Sequence, residues 1–336
     1  MSSQSWIAHC MWSILITFVT LTLSVGPIRA QGTTATGVSH VTNPAISANA
    51  LFMGSYASEQ TAEAATGMHV QELEVQFTSF VDPYWKADFI LAFPGGEGVE
   101  VEEGYVTSLG LPYGMRMQAG KFYAALGRQN LLHTHAFAFL DAPLVNQRLL
   151  GDEGLNEAGV SVQWLTPLPW FVEVTGQVLD GANERFASAD GGDLLYAGHL
   201  RSFHELGDAT TVEWGGSAAT GGNAAGGTSS LLGADLTVKW RPLGAGTRRA
   251  FIWQTEYLRA NDDSPGATAE GGLYTQTQVQ FARRWWAEGR LDWLGLPKAE
   301  PRRAWRASAL LALVPSEFSA LRLQYSRLHD EGDNAH

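Results

Sequence analysis

The chain has 336 residues, of which 45% are hydrophobic and only 17% charged, and 22 Lys+Arg against 34 Asp+Glu give a formal net charge of −12. That acidity opposes a phosphate backbone, so nucleic acid is not an expected partner. Beyond the first thirty residues no apolar run approaches the roughly 20 residues a membrane helix needs, which excludes a polytopic helical protein.

From Met11 to Val25 the residues are almost all apolar or Thr/Ser, and Gly26-Pro27 breaks the run before Ile28-Arg29-Ala30. This reads as a secretory signal peptide over residues 1–30, with an n-region that carries His9 but no Lys or Arg. The single cysteine, Cys10, would leave with it, so the mature chain has neither a disulfide framework nor a thiolate metal site. A periplasmic N-terminal segment is expected over residues 31–44, and one all-β domain over 45–336.

The first strand is expected near Ala45. Further on, Leu73, Val75 and Phe77 alternate with Glu72, Glu74 and Gln76, and Trp170, Val172, Val174 and Val178 with Glu173, Thr175 and Gln177. The clearest case is Leu232, Ala234, Leu236, Val238 and Trp240 against Gly233, Asp235, Thr237, Lys239 and Arg241. Period two of this kind sets one face in an apolar medium and the other in water. A face carrying Gln276, Gln278 and Gln280 should meet water, because each amide buried without a partner costs a few kcal/mol.

The connections alternate in kind. Tight links fall at Asp82–Trp85, Gly110–Gly114, Pro167–Pro169, Glu205–Asp208, Pro242–Gly246, Arg283–Trp286 and Pro315–Phe318; between them lie mostly longer, polar links at Ser58–His69, Pro94–Gly98, Ala124–Asn156, Asp180–Asp193, Ala219–Ser230, Ala260–Gly271 and Pro297–Arg303. Tight periplasmic turns alternating with longer outer loops, joined by strands of about 9–11 residues, are the pattern of a transmembrane antiparallel β-barrel. The strand bearing Leu321, Leu323 and Tyr325 is about the fifteenth, and the chain then runs into the acidic stretch Asp330–His336. A closed barrel wants an even number, so about 16 strands are expected, the last of them beyond His336.

Tyr84, Trp85, Tyr113, Trp170, Trp240, Trp285 and Trp286 sit at or beside tight turns, and Tyr56, Phe93, Trp214 and Trp293 towards opposite strand ends, as interfacial girdles would. Glu103 shares parity with Val99, Val101 and Tyr105 and would meet lipid unless a bulge at Glu102-Glu103-Gly104 resets the register.

The run Ala119–Arg128, with the layout of turns and loops, resembles the strand-to-third-loop passage of outer-membrane porins of the phosphate-selective type. Val81–Trp85, Asp141–Val145 and Pro315–Arg322 resemble a bacterial family labelled zinc-regulated TonB-dependent outer-membrane receptors. The first resemblance implies a sixteen-stranded barrel whose long third loop folds inward and sets the pore size. With only about fifteen residues between Ala30 and the first strand, a plug like that of the large outer-membrane transporters is not expected.

Selectivity would then depend on charges near the constriction. Arg290, Arg306 and Arg322 lie on three consecutive strands and could form a basic ladder, opposite Asp141, Asp152 and Glu153 of the loop; Arg116, Glu72, Glu74, Glu100, Glu102, Glu173, Glu213 and Asp235 also face the lumen. His133 and His135, two apart on an extended segment, point to one side and with Asp141 could hold a divalent cation such as zinc. His199 and His204 flank a turn and suggest no chemistry. No Gly-x-Ser-x-Gly, His-Glu-x-x-His or phosphate loop is present, and Gly221–Gly227 leads into no helical pattern, so neither catalysis nor a cofactor is expected.

The reading is a passive channel for small polar or ionic solutes in the bacterial outer membrane. The alternatives are a substrate- or zinc-specific uptake receptor and a non-conducting structural barrel. Membrane lipid, lipopolysaccharide and the solutes are the expected partners, and a homotrimer the expected assembly.

Overall fold

The computed structural model describes residues 11–16, 20–21, 44–58, 66–96, 98–188, 192–244, 248–264, 266–297 and 303–330. The cleavage point after Ala30, almost all of the 31–44 segment and the tail after Asp330 lie outside them.

Two short N-terminal strands, β1 (Met11–Ile16) and β2 (Thr20–Leu21), precede fifteen longer ones. These are β3 (Ala45–Ala57), β4 (Gly67–Phe80), β5 (Trp85–Pro94), β6 (Glu100–Ser108), β7 (Met115–Tyr123), β8 (Asn156–Leu165), β9 (Phe171–Leu179), β10 (Leu195–Leu206), β11 (Thr210–Gly222), β12 (Thr228–Trp240), β13 (Ala250–Asp262), β14 (Glu270–Ala282), β15 (Trp285–Leu294), β16 (Ala304–Ser316) and β17 (Ser319–Asp330). From β3 to β17 each strand pairs antiparallel with the next in sequence.

β1 pairs antiparallel with both β17 and β3, and β2 continues along β17 through Thr20 and Leu21. The sixteenth strand, expected beyond His336, lies outside the described residues.

Alternation holds along the wall. On β12 Leu232 and Trp240 are exposed outward, while Ser229, Leu231, Asp235 and Thr237 are buried on the inner face. Tyr196, Trp214, Val279, Trp293, Leu311 and Leu323 carry the same exposed apolar exterior around the ring. Hydrocarbon is the medium that makes this exterior favourable, at about 25 cal/mol for each Å² withheld from water.

Three corrections follow from the register. Gln276 and Gln280 do face the lumen but are buried there, Gln276 donating to Gln254 at 3.2 Å and Gln280 to the Arg283 carbonyl at 3.2 Å. Trp286 leaves the girdle: it shares the inward strand face of Arg290 and Asp292, pairs with the inward Gln280, and its ring packs against a lumen cluster of Phe139, Leu140, Leu310 and Ala312. The fifth outer link, expected over Ala219–Ser230, shrinks to residues 223–227 because β11 and β12 pair as far as Gly222 and Thr228. The bulge expected at Glu102-Glu103 is present, with Ile90 opposite Glu103 and Leu91 opposite Val101, and it turns Glu103 inward.

Candidate functional site

The third outer loop, residues 124–155, folds into the lumen and carries the only α-helix among the described residues, α1 (Leu144–Leu150). Its Val145, Leu149 and Leu150 are buried with Leu258 and Tyr274 of the wall. An inward loop must still satisfy its backbone polar groups, and here side chains from around the barrel do so. Ala125 N–H donates to Gln177, Gly127 N–H to Ser217, and the Arg128 and Gln129 N–H groups both donate to Glu256 at 3.0 Å. Gly127, at φ +63°, passes so close to the Glu256 carboxylate that a Cβ would overlap it. Farther on, Leu140 N–H donates to Gln324 at 2.9 Å and Gln71 donates to the Leu140 carbonyl at 3.0 Å. Gln71 reaches the loop because a bulge in β4 leaves it without a partner on β3. His199 belongs to this support as well: it lies mid-strand and buried, 2.7 Å from Ser217, rather than flanking a turn.

At β15 and β16 the loop meets a charge clamp. Arg290 donates to the Asp141 carbonyl at 2.7 Å and carboxylate at 2.9 Å and to Asp292 at 3.0 Å; Arg306 donates to Asp292 at 3.2 Å and the Ala142 carbonyl at 2.6 Å, and also pairs with Asp141. Asp292 also accepts the Leu144 N–H at 3.0 Å. The Arg290 guanidinium stacks on Phe139 at 4.6 Å. Burial would raise the Asp141 carboxyl, but Arg290 and Arg306 outweigh it and hold it below the usual aspartate range. Arg322 donates to the Phe137 carbonyl at 2.9 Å. The expected basic ladder is therefore turned to holding the loop, and Arg290 is almost wholly buried.

Across the lumen, β4 and β6 present four carboxylates to the two loop histidines. His133 Nδ1 lies 3.0 Å from Glu102 and 3.5 Å from Glu74, and its Nε2 lies 3.0 Å from Glu103. His135 Nδ1 lies 3.0 Å from the same Glu74 oxygen, and the two imidazoles stack at 5.6 Å. Burial would lower His133, but hydrogen bonds to Glu102, Glu103 and Glu74 prevail and push it up to about 12. Asp141, the third ligand suggested by sequence, is not among these groups because the arginine clamp holds it. Glu72 and Glu74 arrive as expected, while Glu102 and Glu103 join them through the β6 bulge.

Open space remains beside the loop. A cavity of about 590 Å³ lies among the outer loops near Arg148, Arg185 and Glu270, and one of about 570 Å³ lies towards the tight turns near Lys86, Asp88, Arg116 and Glu173. A smaller one, about 200 Å³, is bordered by Glu72, Glu100, Glu102, Asp152 and Glu153 against a single cation, Lys121. Asp152 and Glu153 thus border the smallest of these cavities, and Arg116 another.

Solved structures share this architecture. The anion-selective porin from Comamonas acidovorans superposes with a TM-score of 0.53 at 10% identity, covering 96% of this chain and 98% of that one. The chain has the porin barrel fold. OmpT of Vibrio cholerae, an outer membrane protein in its trimer form, gives 0.51 at 7% identity over 96% and 97% of the two chains. DcaP, an outer membrane channel of Acinetobacter baumannii, gives 0.50 at 8% identity over 96% and 95%. An uncharacterized protein of Aquifex aeolicus (strain VF5) is 31% identical over 77% of this chain and 63% of its own length, so the chain spans less than two thirds of that relative. No protein-family model matches the chain.

Proposed function

We propose that this chain is a passive, cation-preferring diffusion channel of the bacterial outer membrane for small polar and ionic solutes. The carrying observation is the charge of the cavity beside the third loop, bordered by five carboxylates and one ammonium. A rim of that sign in a low-dielectric wall concentrates cations and repels anions. The porin fold and the apolar exterior support the membrane location. Dedicated phosphate transport, which the porin resemblance implies, would need guanidiniums free to meet the anion, whereas Arg290 and Arg306 each face two aspartates. The reading assigns no catalysis. A homotrimer fits the trimer form of the OmpT comparison structure.

Planar-bilayer recording tests this reading. Discrete open steps are expected, with a reversal potential in a salt gradient on the cation-selective side. Replacing Glu100, Asp152 and Glu153 together by their amides should bring the permeability ratio several-fold towards unity. Absence of open steps would favour a non-conducting barrel, and anion preference would overturn the assigned role of the acidic rim.

A further inference from the structure

We propose that Glu72, Glu74 and His135 form a binding site for one divalent cation of the zinc, nickel or cobalt class, bridging the third loop to β4. Ligand atoms of these three residues all lie within 4.8 Å of one another. Arms of about 2.0–2.2 Å, as zinc makes to nitrogen and oxygen, separate tetrahedral ligands by about 3.3–3.6 Å, a spacing this set reaches with small side-chain movements. The 3.0 Å from His135 Nδ1 to Glu74 is already close to it.

The independent sign of a missing ligand is on Glu72. Its side chain is 9% exposed, and its buried Oε1 has no hydrogen-bond partner. An orphaned carboxylate oxygen carries a desolvation cost, which a cation would remove. Charge points the same way. Glu72, Glu74, Glu102 and Glu103 bring four negative charges against two imidazoles, leaving a deficit of two positive charges even with both rings protonated. His133 is already engaged through both ring nitrogens, whereas His135 uses Nδ1 alone and is the more exposed of the two, which leaves a solvent path for the ion. One imidazole with two carboxylates and an open position suits a borderline cation better than calcium or magnesium, which seek oxygen alone and more of it. The site goes beyond the diffusion reading, because binding does not require that the barrel conduct.

The test is a cobalt(II) titration of the full chain folded in detergent, followed by its visible absorption and by metal content after desalting, with heat-modifiable gel migration as the folding control. One equivalent is expected, displaced by zinc but not by a hundredfold excess of calcium. His135→Ala and the isosteric Glu72→Gln should each weaken binding at least tenfold, with barrel migration unchanged. Wild-type chain that retains no cobalt, or releases it to calcium, overturns the proposal. So does loss of binding in His133→Ala with retention in His135→Ala, which would move the ion to the neighbouring Glu74, Glu102 and His133 group.

Discussion

The third loop is held at two ends by opposite kinds of contact. From β15 to β17 the wall grips the loop by its main chain: Arg290, Arg306 and Arg322 donate to the carbonyls of Asp141, Ala142 and Phe137, and Asp292 accepts the Leu144 N–H. Among them Arg290 and Arg306 meet Asp141 and Asp292, two charges against two. At β4 and β6 the contact runs through His133 and His135, and carboxylates outnumber imidazoles. A balanced grip on backbone fixes a path, whereas an unbalanced contact between side chains can rearrange around a visitor.

The clamp should break hardest. Asp292→Ala leaves Arg290 and Arg306 sharing Asp141 alone and strips the acceptor from Leu144, and uncompensated buried charge of this sort costs about 3–5 kcal/mol. Urea unfolding followed by gel migration should register a loss of that order, and the conductance step should grow several-fold as the loop leaves the lumen. Unchanged values would mean the clamp does not hold the loop.

Acid should loosen the same end without a mutation. Asp141 faces Arg290, Arg306 and Gln324 from the wall, with Asp292 beyond the guanidiniums, and is held below the ordinary aspartate value. A depressed carboxyl contributes stability that is fully present above the unfolded value, about 3.9, and is lost as pH falls through the lower folded value. The step size should therefore stay constant from neutrality to about pH 4 and grow only below it. Growth beginning near pH 6 would place the controlling group elsewhere.

The smallest effect belongs to the histidine end. Glu103→Gln keeps a polar partner for His133 while lowering the excess of carboxylates. Stability should move by less than about 1 kcal/mol and the conductance step should stay the same, since the loop backbone remains held elsewhere. A shift as large as that of Asp292→Ala would erase the contrast between the two ends.

How much of this was legible depends on the distance over which each signal acts. The wall was readable because alternation is local: Leu232 to Trp240 declare their two faces without reference to any other strand. Glu103 was readable as a conflict, a charge at lipid parity, and the bulge that resolves it is present. Trp286 misled because its place beside a turn predicts a girdle, while alternation along β15 puts it on the inward face of Arg290 and Asp292. The loop supports were hidden, since Glu256 lies 128 residues from Arg128, and Gln324 lies 184 from Leu140. Asp292 carried a faint signal, being two residues from Arg290 on the same strand face. The arginines themselves were found, but whether they face solute or a carbonyl depends on where the loop comes to rest.

The supports of that loop also constrain the order of assembly. Its partners come from β4 near the start of the barrel, from β9, β11 and β13, and from β15 to β17 at its end. Contacts of such sequence separation form late. A nascent barrel would therefore pass through a wide-mouthed stage, and the eyelet would narrow only once the final hairpin has zipped into place.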